Sequence, residues 1–488
     1  MARSRFIYII IYPNKIIGVF LKKDHLGRYK WHFLTFLVIG ILLGYIVAVG
    51  IETLGLGIPR NWTRVPCTDT DGGQNYDVRG RVTTGLGAYD DYCASGTTLV
   101  EFYCSGSSAN SVRKSCSYVC AAGACLGASP NWTSAIRGMR FDPSYYYGKG
   151  YTARTLAQYI ADQAYTNGVN TIFVMAYSPA YGAFYPTTYA DTAVEGGFGQ
   201  GNILGELITA AHAKKIKVVA WLPVNNFKKV WDNHPDWRSK KKDGSDYLPV
   251  ANTYFLSCWH DSFQSWYRGF LEDLLARYPN LDGIEAGEGI VDWYWNYEAD
   301  YNLAASQKYL QQYPGGTLGD ANWKLYRAKG MTRLHEILIS VAHSRGVGAY
   351  VVQTWTAKPD GHLMTSAEIA DGSGFDFDGI MSLADKPDYL MAELMWQQWA
   401  AEYSNPTTFN PDWTATARNE FISKVNGRVK ALVHVELSAF GSYAPTPIQL
   451  ETSLRYAATG TAGVDFYDHY QVAGSGAMQN VKNVYSAA

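Results

Sequence analysis

The chain has 488 residues, 17% of them charged, and a formal net charge of −1. It therefore carries neither the basic field that draws nucleic acid nor an acidic tail, which argues against a nucleic-acid partner. The length suits a barrel of roughly 250–400 residues plus accessory segments, and the 15% aromatic share supplies rings for a core and for flat recognition surfaces alike.

In chain order, residues 1–32 hold Lys15, Lys22, Lys23, Arg28 and Lys30. Phe33–Gly50 is then uncharged and long enough for one membrane helix. A basic flank before an apolar span places 1–32 in the cytoplasm, makes 33–50 a single-pass anchor in the cell membrane and puts the rest of the chain outside. Ala48-Val49-Gly50 resembles a small-residue cleavage site, but the segment before it is longer than an ordinary n-region, so the expectation is an uncleaved signal anchor.

Residues 61–127 form a cysteine-rich module. Six of the seven cysteines, Cys67, Cys93, Cys104, Cys116, Cys120 and Cys125, fall inside it, while Cys258 stands apart. An even cluster just outside a membrane segment reads as three disulfides in an oxidising compartment, with the pairing left open. A zinc ribbon would need paired CxxC spacing, and the module holds no His. Asp69 and Asp71 before Gly72-Gly73 make either a calcium loop or, the commoner meaning, a tight turn. Asn61-Trp62-Thr63 and Asn131-Trp132-Thr133 flank the module as glycosylation sequons.

From residue 134 to 488, short apolar runs alternate with helical patterns, as in a parallel α/β fold. The predicted strands are Gly138–Asp142, Asn170–Ala176, Ile216–Leu222, Leu281–Glu285, Val347–Gln353, Phe377–Leu383, Val429–Glu436 and Ala462–Tyr467. Predicted helices include Thr152–Asn167, Asn202–Lys214 and Thr332–Arg345. Eight strands with intervening helices predict a closed (β/α)8 TIM barrel; no glycine-rich phosphate turn follows the first strand, which disfavours an open doubly wound sheet. Functional groups of a barrel sit at strand C-terminal ends. Those ends carry Asp142, Tyr177, Asn225, Glu285 with Glu288, Gln353 with Trp355, Asp385, Glu436, and Asp465 with Asp468 and His469.

The stretch LDGIEAGEGIVDW, Leu281 to Trp293, delivers Glu285 and Glu288 and then opens into an aromatic loop. Paired carboxyl groups beside aromatic faces suit glycosidic hydrolysis, in which one protonated acid assists the leaving oxygen and one ionised acid acts as nucleophile or base. Strand alternation puts His434 and Glu436 on one face, pointing to the barrel axis. The acids after strands four and seven, Glu288 and Glu436, are the expected pair. Glu285 is the competing carboxylate. Asp142, Tyr177, Asn225, Gln353, Asp385 and Asp465 would bind a polysaccharide substrate, with Trp221, Trp293 and Trp355 as stacking faces. This chemistry needs no cofactor and no metal ligand; His234, His260 and Cys258 have no HExxH-type spacing. A barrel that binds glycan without cleaving it, or builds the cell surface, is the alternative.

The run ITAAHAKKIKVVAWLPVNNF, then DNHPDWRSKKKDGS, then FLEDLLARYPNLDGIEAGEG resembles glycosyl-hydrolase-like, family-ten-like barrels. It also resembles the glycosidase domain of bacterial poly-N-acetylglucosamine processing proteins. The matching residues are His212, Ala220-Trp221, His234-Pro235-Asp236-Trp237, Asp243-Gly244, Tyr278 and Asp282-Gly283-Ile284. The resemblance implies a barrel acting on an extracellular polysaccharide, and the second group has an acid at the position of Glu288, which implies Glu288 as proton donor with Glu436 as nucleophile or base. Acids on strands four and seven are the usual retaining arrangement; Gly287 stands where that arrangement usually has Asn. The start CTDTDGGQNY of the module resembles a Cys-rich segment of surface proteins from archaea and uncultivated bacteria.

Overall fold

The computed structural model describes residues 66–488 apart from 77–78, 118, 122, 127–134, 250–252, 288–297 and 487–488. The expected cytoplasmic segment 1–32, the expected membrane helix 33–50 and both sequon asparagines lie outside the described residues. Among the described residues no helix is long and apolar enough to cross a membrane.

Eight parallel strands close into a barrel: β1 (Ile136–Phe141), β2 (Thr171–Met175), β3 (Lys217–Leu222), β4 (Gly283–Ala286), β5 (Gly348–Thr354), β6 (Tyr389–Glu393), β7 (Lys430–Glu436) and β8 (Gly463–Tyr467). Each is followed by a crossover helix: α1 (Ala153–Thr166), α2 (Ile203–His212), α3 (Asp261–Arg277), α4 (Ala321–Ser344), α5 (Phe377–Ser382), α6 (Trp413–Val425), α7 (Pro447–Ala458) and α8 (Met478–Tyr485). The register closes through β8 on β1, where Gly463 faces Ile136 and Val464 faces Arg137.

Helix α1 shows why these segments adopt this form. Thr152 and Thr155 make a reciprocal capping box at its start. Leu156, Ala157, Ile160, Ala161 and Ala164, spaced by three and four, are its buried face. That stripe packs with outward-facing strand residues such as Met139 and Ile172 in the large core between barrel and helices. A fully buried Leu contributes about 1.5–3 kcal/mol. A second, smaller core plugs the lower half of the barrel interior: Ile136, Phe173, Val219, Tyr350, Val352, Met391 and Leu432.

Seven of the eight expected strands form within two residues of their expected ends, and the sixth does not. Phe377–Leu383 is helical as α5, because Asp376 caps it by accepting from the Gly379 amide at 2.9 Å. The sixth strand is Tyr389–Glu393, a five-residue run entered from the turn Asp385-Lys386-Pro387-Asp388. Helix α4 also begins eleven residues before the expected Thr332, at Ala321 behind its cap Asp320.

The cysteine-rich module is built of short antiparallel strands, including Arg81–Thr84 against Gly87–Asp90 and Thr98–Ser105 against Ser108–Ser115. Three disulfides join Cys67 to Cys104, Cys93 to Cys120 and Cys116 to Cys125, and Cys258 is free and buried. The module leans on α7: the Tyr456 hydroxyl lies 2.7 Å from the Cys120 carbonyl oxygen and 2.8 Å from Asp412 Oδ1.

Loop-closure entropy ranks the bridges. Opening Cys67–Cys104, with a separation of 37 residues, should cost about 4 kcal/mol, against about 2.5 kcal/mol for Cys116–Cys125 with a separation of 9. Paired Cys→Ser variants compared by chemical denaturation check the ranking, and equal losses would count against it.

Candidate active site

Halfway up the barrel interior the apolar plug gives way to charge. Arg140, on β1, is buried and forks onto Glu285 of β4, with Nη1 donating to Oε1 at 2.9 Å and Nη2 to Oε2 at 3.3 Å. Its Nε donates to Asp465 Oδ2 of β8 at 2.7 Å. The guanidinium also lies over the Trp221 ring at 5.0 Å. Glycine at 138 makes room for this layer: an added Cβ would stand 2.4 Å from the Asp465 Cβ and 2.9 Å from the Phe173 ring.

His434 of β7 extends the chain of charges upward. Its Nδ1 lies 2.8 Å from Asp465 Oδ1 and 3.2 Å from Arg140 Nε, and its Nε2 lies 3.4 Å from Glu436 Oε1. Burial works against a charged imidazole here, but the Asp465 carboxylate and the bonds to Asp465 and Glu436 outweigh it and raise His434 to about 10. Burial likewise pushes Asp465 upward, and Arg140 and His434 overcome it, so this carboxyl stays below its ordinary range. For Glu285, burial dominates the pull of Arg140 and lifts it to about 7. Two cations thus meet two buried acids, and Glu436, at the top of β7 and 13% exposed, is the acid that the imidazolium presents to the cleft.

The cleft is a cavity of about 500 Å³ at the C-terminal end of the strands. Of the expected site residues, Tyr177, Trp221, Asn225, Gln353 and Glu436 line it together. Tyr177 is 1% exposed and packs against Phe227 and Phe270, so it offers the cleft an edge. The Asn225 amide donates to the Leu256 carbonyl at 3.1 Å, which spends one of its donors on the β3 loop. Trp221 stands at the rim with Tyr467 edge-on at 6.1 Å. Gly287 also lines the cleft, and a Cβ there would come within 2.7 Å of Trp221 Nε1. The indole thus fills the space that an Asn at this position would need.

Other expected site residues lie elsewhere. Glu285 and Asp465 sit beneath the cleft in the Arg140 layer, fully buried. Asp142 is buried on the β1 rim, where it accepts from the Ser144 amide at 2.8 Å and starts a single 3-10 turn. Trp355 has no exposed face: it packs on Phe375, Phe377 and Phe421 and donates to the Met364 carbonyl. Asp385 belongs to the opposite end of the barrel, ahead of β6, with His343 Nδ1 at 2.7 Å. Its expected place followed from the misplaced sixth strand. Glu288 and Trp293 lie outside the described residues.

The true β6 brings a residue that the sequence reading missed. Glu393 ends the strand, lines the cleft and stands opposite His434 in the register. The signal was present as the run Tyr389-Leu390-Met391-Ala392 closing on an acid, the same form that drew attention to β4 and β7. Met395, Gln398 and Trp399 from the following helical turn add to the wall.

A closed parallel eight-stranded barrel with this cleft at its C-terminal mouth is a glycosyl-hydrolase-like TIM barrel. The family described as hypothetical glycosyl hydrolase 6 matches residues 157–285, from α1 through β4. Among solved structures, the PgaB (BpsB) glycoside hydrolase domain from Bordetella bronchiseptica is similar with a TM-score of 0.53 at 14% identity, over 72% of this chain and 99% of that one. A beta-galactosidase from the psychrophilic Marinomonas ef1 is similar with a TM-score of 0.54 at 12% identity, over 72% of this chain and 58% of that one. One from the Antarctic haloarchaeon Halorubrum lacusprofundi follows at 0.51 and 11%, over 72% and 57%. At these identities the structural likeness establishes the fold. No curated protein matches the sequence.

The buried charge layer generates two expectations. Arg140→Met leaves Glu285 and Asp465 without their shared cation and should cost about 3–5 kcal/mol in urea denaturation. His434 is raised in the folded state, so its stabilisation is complete below its unfolded pKa of about 6.5 and is lost as pH rises through about 10. Glu285, raised to about 7, acts with the same sign over a lower window. Unfolding free energy should therefore fall between pH 6 and 10, and His434→Gln should flatten the upper part of that fall; an unchanged slope would refute the assignment.

Proposed function

We propose that the protein is a glycoside hydrolase that cleaves a polysaccharide outside the cell, held at the membrane by the apolar segment 33–50. The observation that carries the reading is Glu436: an acid projecting from the end of β7 into an aromatic-walled cleft, with a charged His434 bonded behind it. A carboxylate so placed faces the space a substrate would fill, as a nucleophile or general base must. Trp221 and Tyr467 offer ring surface at the same mouth.

Glu288, three residues beyond Glu285 and just past the cleft-lining Gly287, is the proposed proton donor. Glu393 is proposed to hydrogen-bond a sugar hydroxyl. The three disulfides fit an extracellular location, and the basic flank before residue 33 supports the inside-to-outside orientation. Acids after strands four and seven favour retention of configuration, for which the carboxyl groups should stand about 5–5.5 Å apart rather than about 6.5–9.5 Å.

The test is hydrolysis of a polysaccharide panel by the full chain, read as new reducing ends, with product anomers followed by NMR. Glu436→Gln should remove activity toward every cleaved substrate. Glu288→Gln should lower it by a factor of about 10² to 10⁴, most for poor leaving groups. If Glu393→Gln silences the enzyme while Glu288→Gln stays near wild type, the donor is Glu393 instead. Glycan binding without cleavage, weakened by Trp221→Ala, would replace hydrolysis with a binding role.

A further inference from the structure

A second concentration of acid lies in the cysteine-rich module. Asp69 and Asp71 flank the start of the Gly72-Gly73 turn, Asp91 joins two strands, and Glu101 sits in the middle of Thr98–Ser105. Ligand-capable oxygens of Asp71, Asp91 and Glu101 all lie within 4.8 Å of one another. Glu101 is completely buried. Its Oε1 accepts from the Asn75 amide at 2.7 Å, whereas its Oε2 has no hydrogen-bond partner among the described residues. The carboxylate oxygens of Asp69 and Asp71 are likewise buried and accept from no other residue among the described residues, so that the two carboxyls face one another; burial first, and then Asp69, push Asp71 up to about 6.

A set of buried acid oxygens lacking donors costs several kcal/mol unless a positive charge compensates it. Arg79 offsets part of the charge at Asp91, whereas the charges that act most on Asp71 and Glu101 are those of the neighbouring acids. The surrounding backbone is shaped to tolerate this crowding. Asp91 is fixed by accepting from the Phe102 and Gly80 amides, both at 2.6 Å. A Cβ on Gly80 would stand 2.6 Å from Asp71 Oδ1, so glycine is what lets that carboxylate approach. Gly72 and Gly73 take φ of +88° and +116°, open to glycine alone without strain. Disulfide cysteines stand close by in sequence: Cys67 before Asp69, Cys93 after Asp91 and Cys104 after Glu101.

We infer that the module binds one divalent cation of the calcium type, held by Asp71, Asp91 and Glu101 with Asp69 as a further oxygen donor. The donors are all carboxylate oxygen, the module's cysteines are consumed in disulfides and it contains no His, a set that suits a hard cation over zinc or copper. Oxygens up to 4.8 Å apart span two calcium–oxygen bonds of about 2.3–2.6 Å each, whereas magnesium needs about 2.0–2.1 Å and a stricter octahedron. The ion makes the turn after Cys67 and the strand through Glu101 one rigid unit.

The experiment is calorimetric titration of the chelator-treated full chain with calcium, magnesium and zinc chlorides, with thermal melting followed in calcium and in chelator. One calcium per chain should bind, with a dissociation constant at or below about 10⁻⁴–10⁻³ M, and should raise the melting temperature. Glu101→Gln should weaken calcium at least about tenfold and, having removed a repelling charge, melt no lower than the parent in chelator. Asp71→Asn serves as the second variant should Glu101→Gln fail to fold. Identical melting in calcium and chelator with no uptake at millimolar calcium would overturn the site. So would a preference for zinc, or variants that lose stability in chelator yet keep full calcium affinity.

Discussion

Arg140 is the side chain on which the barrel interior depends. A guanidinium with almost no exposure is tolerable only because β4 and β8 each bring an acid to it, Glu285 and Asp465, in geometry that satisfies the fork and Nε together. That requirement fixes which face of three strands turns inward and demands glycine at 138. It also consumes two acids that would otherwise belong to the cleft. What remains at the mouth is set by the next layer up, where His434 shares Asp465 from below and passes a positive charge to Glu436 above.

The architecture was readable because its signals are local and redundant: an apolar run, a turn and an amphipathic helix, repeated. The family resemblance rested on residues that turn out to hold the frame. His212 Nε2 lies 2.8 Å from Asp282 Oδ2, which also accepts from the Val218 amide at the start of β3. His234 stacks on Trp237 at 3.6 Å and pairs with Asp191. Such residues announce a fold more loudly than a chemistry. The sixth strand failed because Asp376 caps the apolar run after it into a helix, and no periodicity separates a six-residue buried helix from a strand.

Candidate site residues were harder to sort, for a physical reason. Position at a strand end says that a side chain is near the mouth; it does not say what else competes for it. Glu285 and Glu436 are alike in sequence, yet one is spent on Arg140 and the other borders the cleft, and the partner that decides between them lies 145 residues from Glu285. Trp355 reads as a stacking face until Phe375, Phe377 and Phe421 are seen to enclose it. Glu393 went unseen only because its strand did.

The contact between Tyr456 and Cys120 has a consequence for synthesis. The two residues are 336 positions apart, and chains emerge from the N-terminal side, so the cysteine-rich module is complete long before α7 exists to support it. Its disulfides close over at most 37 residues, whereas the barrel cannot seal until β8 carries Asp465 to Arg140 across 325. During that interval the module stands without α7, and a segment with so small an apolar core is held by its three disulfides. The surface it later offers to α7 is therefore finished in advance.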